Sequence, residues 1–246
     1  MIKKIKKKLK QNIFKKVISK VFNFYKNLET SYPEPLEIKE DDKILILAPH
    51  ADDESIGCGG LLLKYAKQCD VIFLTDGRYG DNDIEPKQMI EIRKNEVISV
   101  MKKLEVNKFK FLDIEDTKLD SGYDIFKTIN FNQYDYICIP NSLDQHPDHK
   151  AVSKHILKAF KEKRIQKDIN ILMYEIWGTL PLPNFYTDIS DIIESKKEII
   201  NMYHSQVKHI DYATKIGALN EYRGVMVTKK SIEVYMIVKV MFLINV

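Results

Sequence analysis

The chain has 246 residues, enough for one large α/β domain with a full core, and 44% hydrophobic with 10% aromatic residues excludes a mostly disordered polypeptide. Its formal net charge of +4 is local, because nine lysines and no acid fall within the first twenty residues, leaving −5 for the remainder. A slightly acidic body with one basic arm is not the footprint of a nucleic-acid-binding enzyme, which would spread Lys and Arg over its working face.

Along the chain, Ile2, Ile5, Leu9, Ile13, Val17 and Val21 recur every three or four residues between the lysines. That is the spacing of an amphipathic helix. Two roles are open for residues 1–26: peripheral contact with an anionic membrane surface, or packing of the apolar stripe on the body with the lysines solvated. Lysines interrupt every apolar stretch there, so no secretory h-region is expected. Tyr32-Pro33-Glu34-Pro35 breaks the pattern and reads as a linker, giving an arm over residues 1–36 and a catalytic domain over residues 37–246. Cys58, Cys69 and Cys138 form no CxxC pair and imply no disulfide framework, so a reducing, cytoplasmic location is expected.

Within the domain, residues 43–48, 70–75, 108–112, 134–140 and 169–174 are short runs rich in Ile, Leu, Val, Phe and Tyr and read as strands. Residues 59–68, 85–104 and 147–163 carry helical spacing between them. Strand and helix therefore alternate, which predicts an α/β fold with a mostly parallel sheet and helices on both faces. Further helices are expected over residues 191–203 and 212–222, with one or two strands over residues 232–244. In such sheets ligands collect at the carboxyl ends of strands.

Two stretches at such ends carry the chemistry. Pro49-His50-Ala51-Asp52-Asp53-Glu54 leaves the first strand and runs into Gly57-Cys58-Gly59-Gly60, and Asp144-Gln145-His146-Pro147-Asp148-His149 leaves a later strand and opens a helix. Imidazoles and carboxylates so placed suit a borderline-soft divalent cation such as zinc, with Fe2+ or another divalent metal as alternatives. Catalytic zinc keeps three protein ligands and one open position, which His50, Asp53 and His149 fill. Asp52 is then the candidate general base toward water. His146 is the candidate proton donor or oxyanion partner, and Asp148 is expected to orient the His146 imidazole. The glycines fit neither a dinucleotide fingerprint, since Leu62 stands where a third glycine is needed, nor a P-loop.

With these residues in place, the chain resembles the LmbE-like, or GlcNAc-phosphatidylinositol de-N-acetylase-like (PIG-L), family of metal-dependent deacetylases. The resemblance spans roughly residues 43–235. Weaker matches lie at Thr75-Asp76-Gly77, Arg93 to Glu96, Lys197 to Gln206 and Arg223-Gly224. It implies a Rossmann-like fold and a zinc-type hydrolase that removes the acetyl group from an N-acetylglucosamine-type sugar or glycoconjugate. His50, Asp53 and His149 would be ligands, Asp52 the base and His146 the acid or oxyanion partner, with Asp52 doing both proton-transfer jobs as the alternative. Arg93 becomes a candidate contact to substrate, and Trp177 a candidate wall of the sugar pocket. Ala51 stands where the family more often has Pro. A metal-dependent phosphoesterase is the competing class, since acidic residues at strand ends also hold magnesium. The partner expected is an N-acetylated sugar, with no nucleic acid, and the oligomeric state stays open.

Overall fold

The computed structural model describes residues 32–106 and 108–239. The arm over residues 1–26 and the end of the last apolar run lie outside them.

Eight strands form one sheet, β1 (Glu34–Pro35), β2 (Ile44–Ala48), β3 (Cys69–Thr75), β4 (Lys108–Ile114), β5 (Tyr136–Pro140), β6 (Asn170–Tyr174), β7 (Phe185–Asp188) and β8 (Ile232–Lys239). Their order is β1-β7-β8-β6-β5-β2-β3-β4. All pairings are parallel except those of β8 with β6 and β7. This is the mostly parallel α/β sheet expected from the alternation. From β2 the chain builds outward through β3 to β4, then crosses back to place β5 on the other side of β2. The gap between the carboxyl ends of β2 and β5 is thus a topological switch point, where a crevice opens.

The central strands are hydrophobic on both faces because helices cover both. Ile44, Ile46, Val71, Phe73 and Cys138 face one core with α1 (Asp53–Tyr65), α2 (Pro86–Lys103), α5 (Ile193–Asn201) and α7 (Tyr212–Gly224). Leu45, Leu47, Ile72, Leu74, Ile137 and Ile139 face the other, with α3 (Tyr123–Phe126) and α4 (Pro147–Lys161). The remaining short helix is α6 (His204–Val207). The alternation of odd and even residues between two cores is the period-2 rule of a strand at work.

Three boundaries differ from expectation. Glu34–Pro35, expected in a linker, pair in parallel with Phe185–Tyr186 at the sheet edge, and Leu36 is buried in the core. Strand β7 carries no long apolar run and was not foreseen. Helix α1 starts at Asp53 rather than near Gly59, so the acidic motif is itself the first helical turn, with Asp53 and Glu54 where the helix dipole favours carboxylates. The helix breaks once, at Cys58 (φ −132°, ψ 17°). The backbone there runs against the sheet, and a Cβ on Gly57 would stand 2.1 Å from the Tyr174 ring. Close packing, not a phosphate, explains this glycine. Cys58, Cys69 and Cys138 are free and buried.

Candidate metal centre and active site

The loop after β2 is tied down before it reaches the motif. The Pro49 carbonyl accepts from the Thr75 amide at 2.9 Å and from Thr75 Oγ1 at 2.7 Å. Asp52 then takes φ 120°, a left-handed backbone that a non-glycine residue adopts at a cost of order 1–3 kcal/mol. Glu54 helps hold it there: Oε2 accepts from the Asp52 amide at 3.1 Å, while Oε1 accepts from Ser55 Oγ and from the Tyr203 hydroxyl. Burial raises the Glu54 pKa in spite of these donors. After β5, Asp144 organises the second loop, accepting from the amides of His146 (2.8 Å), Trp177 (3.0 Å) and Gly178 (2.9 Å). His146 caps α4 through Nδ1, which accepts from the Asp148 amide at 3.3 Å, and Pro147 takes the first helical position where no N–H is needed.

These two loops converge on one carboxylate oxygen. Asp53 Oδ2 lies 3.3 Å from His50 Nδ1 and 3.4 Å from His149 Nε2. The opposite nitrogen of each ring also faces a carboxylate. His50 Nε2 is 3.3 Å from both Asp116 Oδ1 and Asp148 Oδ2, and His149 Nδ1 is 3.2 Å from Asp144 Oδ1. The third imidazole, His146, stands 4.7 Å from His50 and 4.8 Å from His149 between ring centroids.

Electrostatics follow from this packing. Burial alone would lower His50, but Asp116, Asp148 and Asp53 lift it well above the ordinary imidazole range. Burial likewise opposes the charge on His149, yet Asp53 and Asp144 raise it to about 9. Asp53, though buried, is held far below the carboxylate range by the two imidazoles, and Asp116 and Asp144 fall to about 2 despite burial. Asp52 goes the other way: burial raises it to about 7, with Arg93 restraining the rise. His146 is lowered, first by burial and then by the positive charge of His50 and His149.

The donor set fits a zinc-type ion. His149 is fully buried, and neither ring nitrogen makes a hydrogen bond of acceptable geometry, although carboxylates stand beside both. A buried imidazole with a carboxylate beside each nitrogen but hydrogen-bonded to neither matches a ring placed for a cation. Carboxylates at the far nitrogens are what orient ligating imidazoles and set their tautomer.

The other expected residues fall as follows. Arg93 is buried on α2, and Nη2 donates to Asp52 Oδ1 at 3.1 Å and to the Ala51 carbonyl. It therefore grips the candidate base. Trp177 is 45% exposed and packs on Tyr212 with ring centroids 5.1 Å apart, both lining an open cleft together with His50, Asp52, Asp53, Arg93 and His146. Asp148 departs from expectation. Its carboxylate turns away from His146, accepts from the amides of Thr117 (2.9 Å) and Leu119 (3.2 Å), and faces His50. The reason is local geometry: Asp148 sits at the second turn position of α4, where its side chain points toward the 116–119 loop and only its amide reaches His146.

Asp116, Tyr79, Gly80, Gln206 and Tyr212 line the same cleft and were not singled out as site residues. Asp116 lies in Glu115-Asp116-Thr117 after an edge strand, with no neighbouring His to mark it. Of the weaker motif matches, Arg93 and Gln206 line the cleft, whereas Glu96, Ser205 and Arg223 make scaffold contacts. Glu96 accepts from the Ser205 amide and hydroxyl, each at 2.7 Å, and Arg223 pairs with Glu175 and the Leu180 carbonyl.

Comparison with known proteins agrees with this geometry. Residues 45–160 match the GlcNAc-PI de-N-acetylase (PIG-L) family. The chain is 28% identical over 186 residues to the diacetylchitobiose deacetylase of Thermococcus kodakarensis, covering 67% of this chain and 70% of that protein. It is 23% identical over 199 residues to the probable N-acetyl-alpha-D-glucosaminyl L-malate deacetylase 2 of Bacillus subtilis, covering 68% and 84%. Its fold superposes on the N,N'-diacetylchitobiose deacetylase of Pyrococcus horikoshii with a TM-score of 0.71 at 21% identity, over 93% of this chain and 94% of that one. Over residues 45–160 the chain is thus similar to the GlcNAc-PI de-N-acetylase (PIG-L) family, and the two curated relatives it matches are sugar deacetylases.

Proposed function

We propose that this protein is a zinc-type hydrolase that removes the acetyl group from the nitrogen of an N-acetylglucosamine-type sugar or glycoconjugate. The observation that carries the reading is the shared carboxylate oxygen of Asp53 between His50 Nδ1 and His149 Nε2, with a second carboxylate behind each ring. His50, Asp53 and His149 are the ligands in this reading. Bound zinc supplies Lewis acidity toward the acetyl carbonyl and lowers the pKa of water.

The chain's own groups do the rest. Asp52, raised to about 7 by burial, is poised to take a proton from the attacking water near neutral pH. Arg93 keeps that carboxylate ionised and aimed. Water adds to the acetyl carbon, the C–N bond breaks, the proton passes to the sugar nitrogen, and acetate and a free amine leave. His146 accepts at Nδ1 from the Asp148 amide, so its neutral ring carries the proton on Nε2. Its lowered pKa favours that neutral form. We therefore assign His146 as a hydrogen-bond donor to the developing oxyanion and Asp52 as the group that shuttles the proton to the amine. Asp148 and Asp116 orient His50. Trp177 offers an exposed aromatic face to the apolar side of a pyranose ring.

The same reading takes residues 32–246 as the catalytic domain, since Glu34–Pro35 pair in its sheet and Leu36 lies in its core, with the lysine-rich residues before them as an arm and the cytoplasm as its location. No helix among the described residues is long and apolar enough to cross a membrane. Contact of residues 1–26 with an anionic surface is supported by their lysine-rich amphipathic pattern, and pelleting of the full chain with anionic but not neutral vesicles tests it. For the reaction, the metal-loaded protein is incubated with a panel of N-acetylglucosamine conjugates and the products are weighed by mass spectrometry. Loss of one acetyl with release of acetate supports the assignment; release of phosphate from a sugar phosphate instead would transfer the protein to the phosphoesterases.

A further inference from the structure

Away from the catalytic cluster, Asp81, Asp83 and His209 bring one ligand atom each to within 4.8 Å of one another. The Asp81 side chain is only 4% exposed, and its Oδ1 accepts from the Asp83 amide at 2.9 Å. Its other oxygen is the exception. Among the described residues, Asp81 Oδ2 is the one buried carboxylate oxygen that accepts no hydrogen bond. Lys208 Nζ at 3.5 Å and His209 Nε2 at 3.6 Å face it, neither in hydrogen-bonding geometry. By contrast, the buried carboxylates of Glu54, Asp144 and Glu233 are each bound by several donors. Burying an anionic oxygen without a donor is unfavourable unless a cation supplies the missing partner.

We propose that Asp81, Asp83 and His209 form a second divalent-cation site, in which the ion takes the place of the Lys208 ammonium at Asp81 Oδ2. Two carboxylates and one imidazole make a mixed oxygen and nitrogen set that suits zinc or manganese better than calcium, which prefers oxygen alone. Asp83 and His209 are exposed, so an ion reaches the site from solvent without opening the fold. Lys208 is 53% exposed and free to swing outward.

The position gives the site its interest. Tyr79 and Gly80, just before Asp81, line one side of the catalytic cleft, and Gln206 and Tyr212, flanking His209, line another. An ion held by Asp81, Asp83 and His209 joins two cleft walls that come from loops more than a hundred residues apart. A sequence search for metal motifs centred on closely spaced His and Asp passes over it, because the Asp81-Asn82-Asp83 pair and His209 meet only in the fold. The proposal concerns cation binding and stands whether or not the cleft hydrolyses an acetamide.

The test uses the full, tag-free chain loaded with one equivalent of Zn2+ and then titrated with further Zn2+ by equilibrium dialysis and calorimetry. Wild type is expected to take a second equivalent. Asp81→Asn and His209→Ala are expected to take only the first, with circular dichroism confirming that both variants are folded. Lys208→Ala supplies the decisive sign, since removing the competing ammonium should tighten the second equivalent several-fold. If Asp81 only latches the two loops through Lys208, that variant gains no affinity. One equivalent in wild type, two in Asp81→Asn, or an unchanged second binding step in Lys208→Ala would each overturn the proposal.

Discussion

Arg93 Nη2 lies 3.1 Å from Asp52 Oδ1, and both side chains are buried. A helix far along the chain thereby sets the charge and direction of the residue proposed as general base. The same guanidinium nitrogen also donates to the Ala51 carbonyl, so it braces the left-handed turn at Asp52 as well as its carboxylate. Because Arg93 opposes the rise of the Asp52 pKa, Arg93→Ala should raise that pKa further. The base works ionised, so the acid limb of the kcat/KM profile should move to higher pH, and activity at pH 7 should fall roughly a hundredfold. Arg93→Lys should restore part of the profile. An unshifted acid limb in Arg93→Ala would show that Asp52 is not the base.

Asp52→Asn keeps the side-chain volume and removes the charge. The residue lies outside the proposed ligand set, so zinc content by elemental analysis should stay at the wild-type level. The turnover number should drop by about 10²–10⁴. Full turnover in this variant with the metal bound would end the base assignment.

Zinc binding should be linked to protons. His50 is raised well above the ordinary range and His149 to about 9, so both rings are protonated at pH 7 in the metal-free protein. A ligating imidazole is neutral, and metal uptake must therefore expel about two protons. With His149 raised to about 9 and His50 also raised, apparent zinc affinity should climb with pH through 7 and 8. Calorimetry in buffers of different ionisation enthalpy measures the proton count, and a count near zero would place the metal elsewhere.

Asp116→Asn and Asp148→Asn each remove one of the two carboxylates facing His50 Nε2. Each should weaken zinc binding about 10–100-fold, the usual effect of losing a group that orients a ligating imidazole. Asp148→Asn should also lose thermal stability, because the amides of Thr117 and Leu119 depend on that carboxylate. A competitive zinc titration and a melting curve separate the two effects.

Glu233 on β8 bridges the break in α1: its carboxylate accepts from the amides of Gly60 (2.6 Å) and Leu61 (3.1 Å) and pairs with buried Lys196 at 2.6 Å. Those amides lie just past the kink at Cys58, where the helical ladder is interrupted. Glu233→Ala leaves a buried ammonium without its counter-charge and should destabilise the fold by about 3–5 kcal/mol. Denaturant unfolding checks it, and a loss below 1 kcal/mol would show that the network is dispensable.

Much of this protein was legible along the chain. Five strand expectations match β2 to β6: β2, β3, β5 and β6, covered on both faces, write themselves as short apolar runs, and β4 at the sheet edge shows as Phe alternating with Lys. His50, Asp53 and His149 were legible as a set because two loops at strand ends each carried closely spaced His and Asp, and the fold brings them to one carboxylate oxygen. Strand β7 and the edge pairing of Glu34–Pro35 were not legible: Phe185-Tyr186-Thr187-Asp188 is short and half polar, and its pairing is decided by the strand beside it.

What the sequence determined by itself was the local chemistry: which segments bury their side chains, and which loops hold imidazoles and carboxylates. What only the tertiary structure decided was the partnering of those groups. Asp148 turned to His50 instead of His146, Asp116 arrived from an edge-strand loop, Arg93 reached Asp52, and Asp81 met Lys208 and His209. Hydrophobic periodicity is written over neighbouring residues, whereas a hydrogen bond or ion pair depends on a few ångströms between side chains that the crossover from β4 to β5 brings together. No local pattern encodes that distance.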